Sequence, residues 1–207
     1  MSAAARLADG IKALGLDIDA ATQQRLLAYG GLLMKWNKVY NLTAIRDEQA
    51  LIDLHLLDSL TVLPYVTMDR IADIGAGGGL PGIPLAICRP ELEVALVETV
   101  GKKASFLQQA KIELKLDRVS VHNTRVEQLQ VERSFPAIVS RAFSSLADFV
   151  SLTDHLLAPG GHWLAMKGVD PLAEVAALPA GVEVLRTHHL QVPGLTAERN
   201  LLVLGRR

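Results

Sequence analysis

The segment from Asp73 to Gly82, Asp-Ile-Gly-Ala-Gly-Gly-Gly-Leu-Pro-Gly, constrains the fold more than any other part of the chain. It follows the short apolar run Arg70–Ile74 and opens onto a second apolar run, Ile83–Cys88. Five of the eight residues 75–82 are glycine. Glycine in a strand-to-helix turn takes positive φ and lets a ligand approach the main chain. So many glycines cost backbone entropy, which a plain turn has no need to spend. The segment predicts an α/β sheet with a ligand at the carboxyl edge of its strands.

The flanking pattern extends that expectation. Residues 3–36 read as helix, with Leu7, Ile11 and Leu14 on one face and Leu26, Leu27, Leu33 and Met34 at helical spacing; Thr22 is the expected cap of the second helix. Residues 48–62 give another helix, stopped by Pro64. Strands are expected at Arg70–Ile74, Val94–Glu98, Val119–Val121, Ala137–Ser140 and His162–Lys167. Helices are expected at Ile83–Cys88, Lys102–Leu116 and Ser145–Leu157, and 182–192 with 200–205 form a closing antiparallel pair. Strand–helix alternation implies a mostly parallel sheet with helices on both faces. Residues 1–65 then form a helical N-terminal extension, and residues 66–207 the ligand-binding domain.

Composition narrows the function classes. Hydrophobic residues make up 50% of the 207, but aromatics only 4%, so the core is aliphatic. The single cysteine, Cys88, excludes an internal disulfide and a cysteine metal cluster. It reads as a buried thiol compatible with a reducing cytoplasm. The opening MSAAARLADG lacks the pattern of a signal peptide, and Ile71–Cys88 is too interrupted for a membrane helix. A cytoplasmic location is expected. The net charge of −1 disfavours a dedicated nucleic-acid coat and leaves room for a local basic patch.

Two acids discriminate between cofactors. The register Gly77-x-Gly79-x-x-Gly82 also fits a dinucleotide fingerprint, so the glycines alone do not decide. Asp73 at the strand tip would repel a pyrophosphate but suits a cofactor carrying an ammonium and a sulfonium. Glu98 ends the next strand, where a carboxylate can accept hydrogen bonds from both ribose hydroxyls. S-adenosyl-L-methionine is the cofactor these acids favour.

Eight segments taken together resemble the bacterial 16S rRNA (guanine-N7) methyltransferases, the glucose-inhibited division protein B family. They are Lys35–Thr43, His55–Ser59, Asp73–Pro84, Glu98–Lys103, Arg125–Glu127, Ser140–Phe143, Met166–Gly168 and Glu198–Arg199, in the family's order and across nearly the whole chain. The loop has Gly78 where other members can carry proline. The resemblance implies a class I, Rossmann-like methyltransferase fold with a seven-stranded sheet, closed by the antiparallel pair. It implies methyl transfer from S-adenosyl-L-methionine to a guanine of the small-subunit ribosomal RNA or its ribonucleoprotein, by a cytoplasmic monomer that uses neither DNA nor membrane. It also implies that Gly75 and Leu80 line the cofactor, with Gly77 and Gly79 in the same loop. Val126 and Glu127 would flank the adenine, and Arg141 would reach the site from the fourth strand.

Arg141 and Lys167 follow the fourth and fifth strands at the ligand-binding edge; with Arg199 they are candidates for orienting substrate, a functional role being favoured over a structural ion pair for Arg141 and balanced against one for Lys167. Guanine N7 carries a lone pair at neutral pH, so no general base is assigned. Trp36 reads as packing between extension and sheet, while Lys35 and Lys38 fit RNA contact or solvated surface equally. His55 and Asp58 are i, i+3 neighbours on one helix, and Asp58 and Ser59 diverge, so a serine triad is disfavoured against a hydrogen-bonding role. No metal site has the right spacing, and His188 and His189 face opposite sides of a strand. Two rival functions remain: a nicotinamide-dependent oxidoreductase and a non-catalytic S-adenosylmethionine-binding module.

Overall fold

The computed structural model describes residues 2–141, 143–169 and 171–207. Ala142, inside the Ser140–Phe143 motif, lies outside the described residues. Seven strands form one sheet: β1 (Arg70–Ile74), β2 (Glu93–Val97), β3 (Val119–His122), β4 (Phe135–Ser140), β5 (Leu157–Lys167), β6 (Val182–Leu190) and β7 (Arg199–Arg206). Their order is β3-β2-β1-β4-β5-β7-β6. The first five are parallel, and β7 runs antiparallel to both β5 and β6. The central strands are short and apolar because both faces are covered. Ile71, Val94, Leu96, Val139 and Leu164 enter one core cluster, while Ala72, Ala95, Val97, Ile138 and Trp163 enter the other. This alternation is the two-residue period of an extended chain.

The expected helical layer is present with different boundaries. Helix α1 (Ala3–Ala13) and helix α2 (Ala20–Tyr40) are the two helices expected over 3–36, the second running four residues further. Asp19, not Thr22, caps α2: its carboxylate accepts the Thr22 amide at 2.6 Å, three residues on. Asn41 ends α2 in a left-handed conformation. The expected helix over 48–62 is α3 (Glu48–Leu51), a wider π-type segment over Ile52–Leu57, and α4 (Asp58–Leu60). Both N-terminal helices contribute to the same core as the sheet: Leu7, Ile11, Leu26, Tyr29 and Leu33 join Leu56, Ile83 and Phe106. Helices α5 (Gly82–Cys88) and α6 (Gly101–Glu113) share that face.

Helix α7 (Leu146–Thr153) packs on the opposite face, capped by the Ser145 hydroxyl, which accepts the Asp148 amide. A short α8 (Leu172–Ala176) was not expected from sequence. As expected from sequence, no α-helix separates the third and fourth strands: β3 joins β4 through residues 123–134, which hold one 3-10 turn at Val126–Gln128. The segment Ala158–Gly161 bulges out of the pairing between β4 and β5 rather than only leading into the strand. Among the described residues, no helix is long and apolar enough to cross a membrane.

Candidate active site

The loop after β1 is held by main chain and by two acids. The amides of Gly75 and Ala76 both donate to Val97 O, at 2.9 and 3.1 Å, tying the loop to the end of β2. Gly77 and Gly79 have φ of +56° and +92°, conformations that side chains resist. Their surroundings differ. A Cβ on Gly77 would meet only Gly75 O at 3.9 Å, so the space beside it is open. A Cβ on Gly79 would fall 2.4 Å from Ile83 Cδ1, so close packing also requires glycine there.

Glu98 lies just past β2, and each oxygen has one main-chain partner. Oε2 accepts the Gly77 amide and Oε1 the Val100 amide, both at 2.8 Å. One carboxylate thus ties the glycine loop to the start of α6. It retains acceptor capacity for ribose hydroxyls.

Asp73 lies at the end of β1, beneath the loop. It is fully buried, and Oδ2 accepts the Gly82 amide at 2.8 Å. Oδ1 is buried with no hydrogen-bond partner. Burial pushes its carboxyl up to about 7, against the pull of the Gly82 amide and of Arg141. Asp73 therefore braces the loop from beneath and is absent from the cavity walls described below. Its Oδ1 keeps acceptor capacity that the loop does not use.

Two cavities meet at Gly75. The larger, about 510 Å³, is lined by Val97, Thr99, Val126, Glu127, Phe143 and Leu152 among others. Apolar flanks with polar ends suit an adenosine. The smaller, about 270 Å³, runs along Gly75–Gly78, Leu80, Glu98, Lys103 and Arg141, and is roofed by Leu33, Leu42, Thr43 and His55 of the N-terminal layer. Together they suit an elongated cofactor that bends at the glycine loop, and S-adenosylmethionine fits these residues.

A third cavity, about 400 Å³, shares His55 and Arg141 with the second and adds Leu54, Asp58, Met166, Lys167, Gly168 and Arg199. Ser140 Oγ donates to Ile74 O at 2.8 Å, fixing the end of β4 to the loop and so placing Arg141. Arg141 Nη1 donates to Leu54 O and Asp58 Oδ2, both at 3.2 Å. Lys167 Nζ donates to Phe143 O at 3.1 Å and to Glu174 Oε2 at 2.8 Å. His55 Nε2 lies 2.7 Å from Thr43 Oγ1, and Nδ1 lies 2.9 Å from Leu54 O. Burial, with the field of Arg141, holds the His55 imidazole down to about 4, so it is neutral near pH 7.

The structure thus gathers Gly75, Gly77, Leu80, Glu98, Val126, Glu127 and Arg141 around one continuous cleft, with Lys167 and Arg199 in the adjoining pocket. Asp73 and Gly79 support it from behind. Sequence reasoning assigned no site role to Leu33, Thr43, His55 or Lys103. All four lie within or beside the Lys35–Thr43, His55–Ser59 and Glu98–Lys103 segments, the available signal.

The sheet order, its reversed seventh strand and the glycine-loop cleft define a class I S-adenosylmethionine-dependent methyltransferase. A SAM-dependent O-methyltransferase from Thermotoga maritima shares this fold with a TM-score of 0.53, at 18% identity over 70% of this chain and 64% of that one. Within the class, the chain belongs to the family described as rRNA small subunit methyltransferase G, which it matches over residues 22–203. It is 66% identical to Ribosomal RNA small subunit methyltransferase G of Azoarcus sp. (strain BH72), covering 98% of this chain and 96% of that protein. It is 57% identical to the protein of that name from Aromatoleum aromaticum, covering 98% and 99%.

Proposed function

We propose that this protein transfers the methyl group of S-adenosylmethionine to N7 of a guanine in small-subunit ribosomal RNA. The observation that carries this reading is the junction of the two spaces: the glycine-loop cleft and the Lys167–Arg199 pocket share His55 and Arg141 as a common wall. A cofactor in the first would present its methyl toward a base in the second. The bound cofactor supplies an electrophilic methyl on a sulfonium sulfur.

The chain's own contribution is placement. Gly75, Gly77 and Leu80 shape the floor of the cleft, and Glu98 fixes the loop while offering acceptors to the ribose. Val126 and Glu127 flank the adenine. Arg141, Lys167 and Arg199 orient the target nucleotide, the guanidinium forks suiting O6 or phosphate while N7 stays free to attack. Guanine N7 needs no deprotonation, and neutral His55 adds no positive charge beside the sulfonium. Proximity and orientation then carry the rate.

RNA contacts extend along the end of α2. Val39 is 70% exposed and Tyr40 39%, with Lys35, Lys38 and Arg46 exposed around them. An exposed aromatic among cations offers a stacking surface and phosphate partners. Trp36 is packed on Phe106, with ring centroids 5.7 Å apart, and serves the core.

The deciding experiment incubates the protein with labelled cofactor and unmethylated small-subunit RNA, naked and as assembled subunits, and maps the label. Label at a single guanine N7 is the expected result. Cofactor binding without transfer would favour the binding-module alternative, and a nicotinamide fluorescence change would favour the oxidoreductase.

A further inference from the structure

We propose that Asp58 is a positioning residue for methyl transfer: its buried carboxylate sets the two guanidiniums of Arg141 and Arg199 as opposite jaws of the pocket that takes the target nucleotide. This rests on the reading of that pocket given above. The Asp58 side chain is only 3% exposed, and each oxygen faces a different arginine. Oδ2 lies 3.2 Å from Arg141 Nη1, and Oδ1 lies 3.1 Å from Arg199 Nε.

The two arginines come from opposite sides of β5. Arg141 follows β4, Arg199 opens β7, and the sheet order places β5 between them. They therefore straddle Met166, Lys167 and Gly168 at the strand's carboxyl end, and all of these line one cavity. Asp58 belongs to the N-terminal helical layer, so it is the point where that layer fixes the width of the pocket.

The charges show that this is more than a structural pair. One carboxylate facing two guanidiniums leaves a surplus positive charge at the pocket wall, while Lys167 is matched by Glu174. The arginine side chains stay 28% and 24% exposed, although the acid between them is enclosed. Among the described residues, their hydrogen bonds engage Nη1 of Arg141 and Nε and Nη1 of Arg199. Donors remain on both forks for the phosphate or O6 of a nucleotide. A buried acid holding its partners by one donor each orients them without consuming them.

The test compares wild type, Asp58→Asn and Arg199→Lys in three measurements: melting temperature, cofactor affinity by calorimetry, and steady-state methyl transfer to unmethylated small-subunit RNA. Asp58→Asn keeps the shape and removes the charge. The expected result is a folded protein with cofactor affinity within about twofold of wild type and kcat lowered about tenfold or more. In NMR spectra the Arg199 Nε–H, which donates to Asp58 Oδ1 in the wild type, should exchange with water faster in Asp58→Asn. Should Asp58→Asn fail to fold, Arg199→Lys carries the same forecast, because it keeps the charge but loses the Nε contact. Normal turnover in a folded variant, or an equal loss of cofactor affinity, overturns the positioning role alone. A wild-type protein that binds cofactor but transfers no methyl overturns the functional reading and this role with it.

Discussion

At the residue scale, two buried titratable groups flank the cofactor cleft and pull pH dependence in opposite directions. His55 is held down to about 4, from an ordinary value near 6.5. Between those values the unfolded chain takes up a proton that the folded chain refuses, so stability falls as pH falls from about 6.5 to 4. Asp73 is pushed up to about 7, from near 3.9. There the folded chain holds a proton that the unfolded chain releases, so stability falls as pH rises from about 4 to 7. The two effects oppose each other over most of their range. Relative to wild type, His55→Gln should gain stability as pH falls from 6.5 to 4, and Asp73→Asn should lose it over the same window. Each difference should approach about 1.4 kcal/mol per pH unit. Urea unfolding of the three proteins across that range decides it, since every other titrating group is common to all. Parallel curves would show that neither group titrates differently in the fold.

At the element scale, the glycine loop depends on a helix more than forty residues away in sequence. The Tyr29 hydroxyl of α2 donates to Gly78 O at 2.5 Å, inside the protein. Burial pushes that phenol well above its usual range, so it stays a donor. Tyr29→Phe removes the donor and leaves a buried carbonyl without it, at about 1–3 kcal/mol. The expected outcome is a folded protein with cofactor affinity lowered about fivefold or more, read by calorimetry. Unchanged affinity would mean that α2 covers the loop without shaping it. The π-type segment Ile52–Leu57 belongs to the same scale, for it carries His55 and leads into Asp58. Wider turns of this kind concentrate at functional sites.

At the scale of the whole molecule, the helical layer and the sheet share one core. Residues of α1 and α2 pack with Leu56, Ile83 and Phe106 in a single cluster. The layer also supplies Leu33, Thr43 and His55 to the cofactor cleft and Asp58 to the adjoining pocket. Thermal unfolding should therefore be one cooperative event, with calorimetric and van't Hoff enthalpies in agreement. A separate early transition, with a protease-resistant fragment beginning near residue 66, would instead mark residues 1–65 as an independent unit.

The sequence by itself determined the parallel sheet, the closing antiparallel pair, the glycine loop and the acid Glu98 after the second strand. These are local properties: strand and helix periods, and turn chemistry within a few residues, are written contiguously. The true cap of α2 was not legible, because Asp19 and Thr22 are both residue types that can accept an amide at a helix start. What only the tertiary structure decided was which side chains meet. In sequence Asp73 reads as an acid facing a cation, and only the fold shows that its Oδ2 also accepts the Gly82 amide beneath the loop. Asp58 looked like one more polar group on a helix. It is joined to Arg199 across 141 positions and to Arg141 across 83. No pattern in the chain links such distant residues. The physical reason is that the fold brings three elements to one sheet edge, and a buried carboxylate there must find positive partners wherever they lie in sequence.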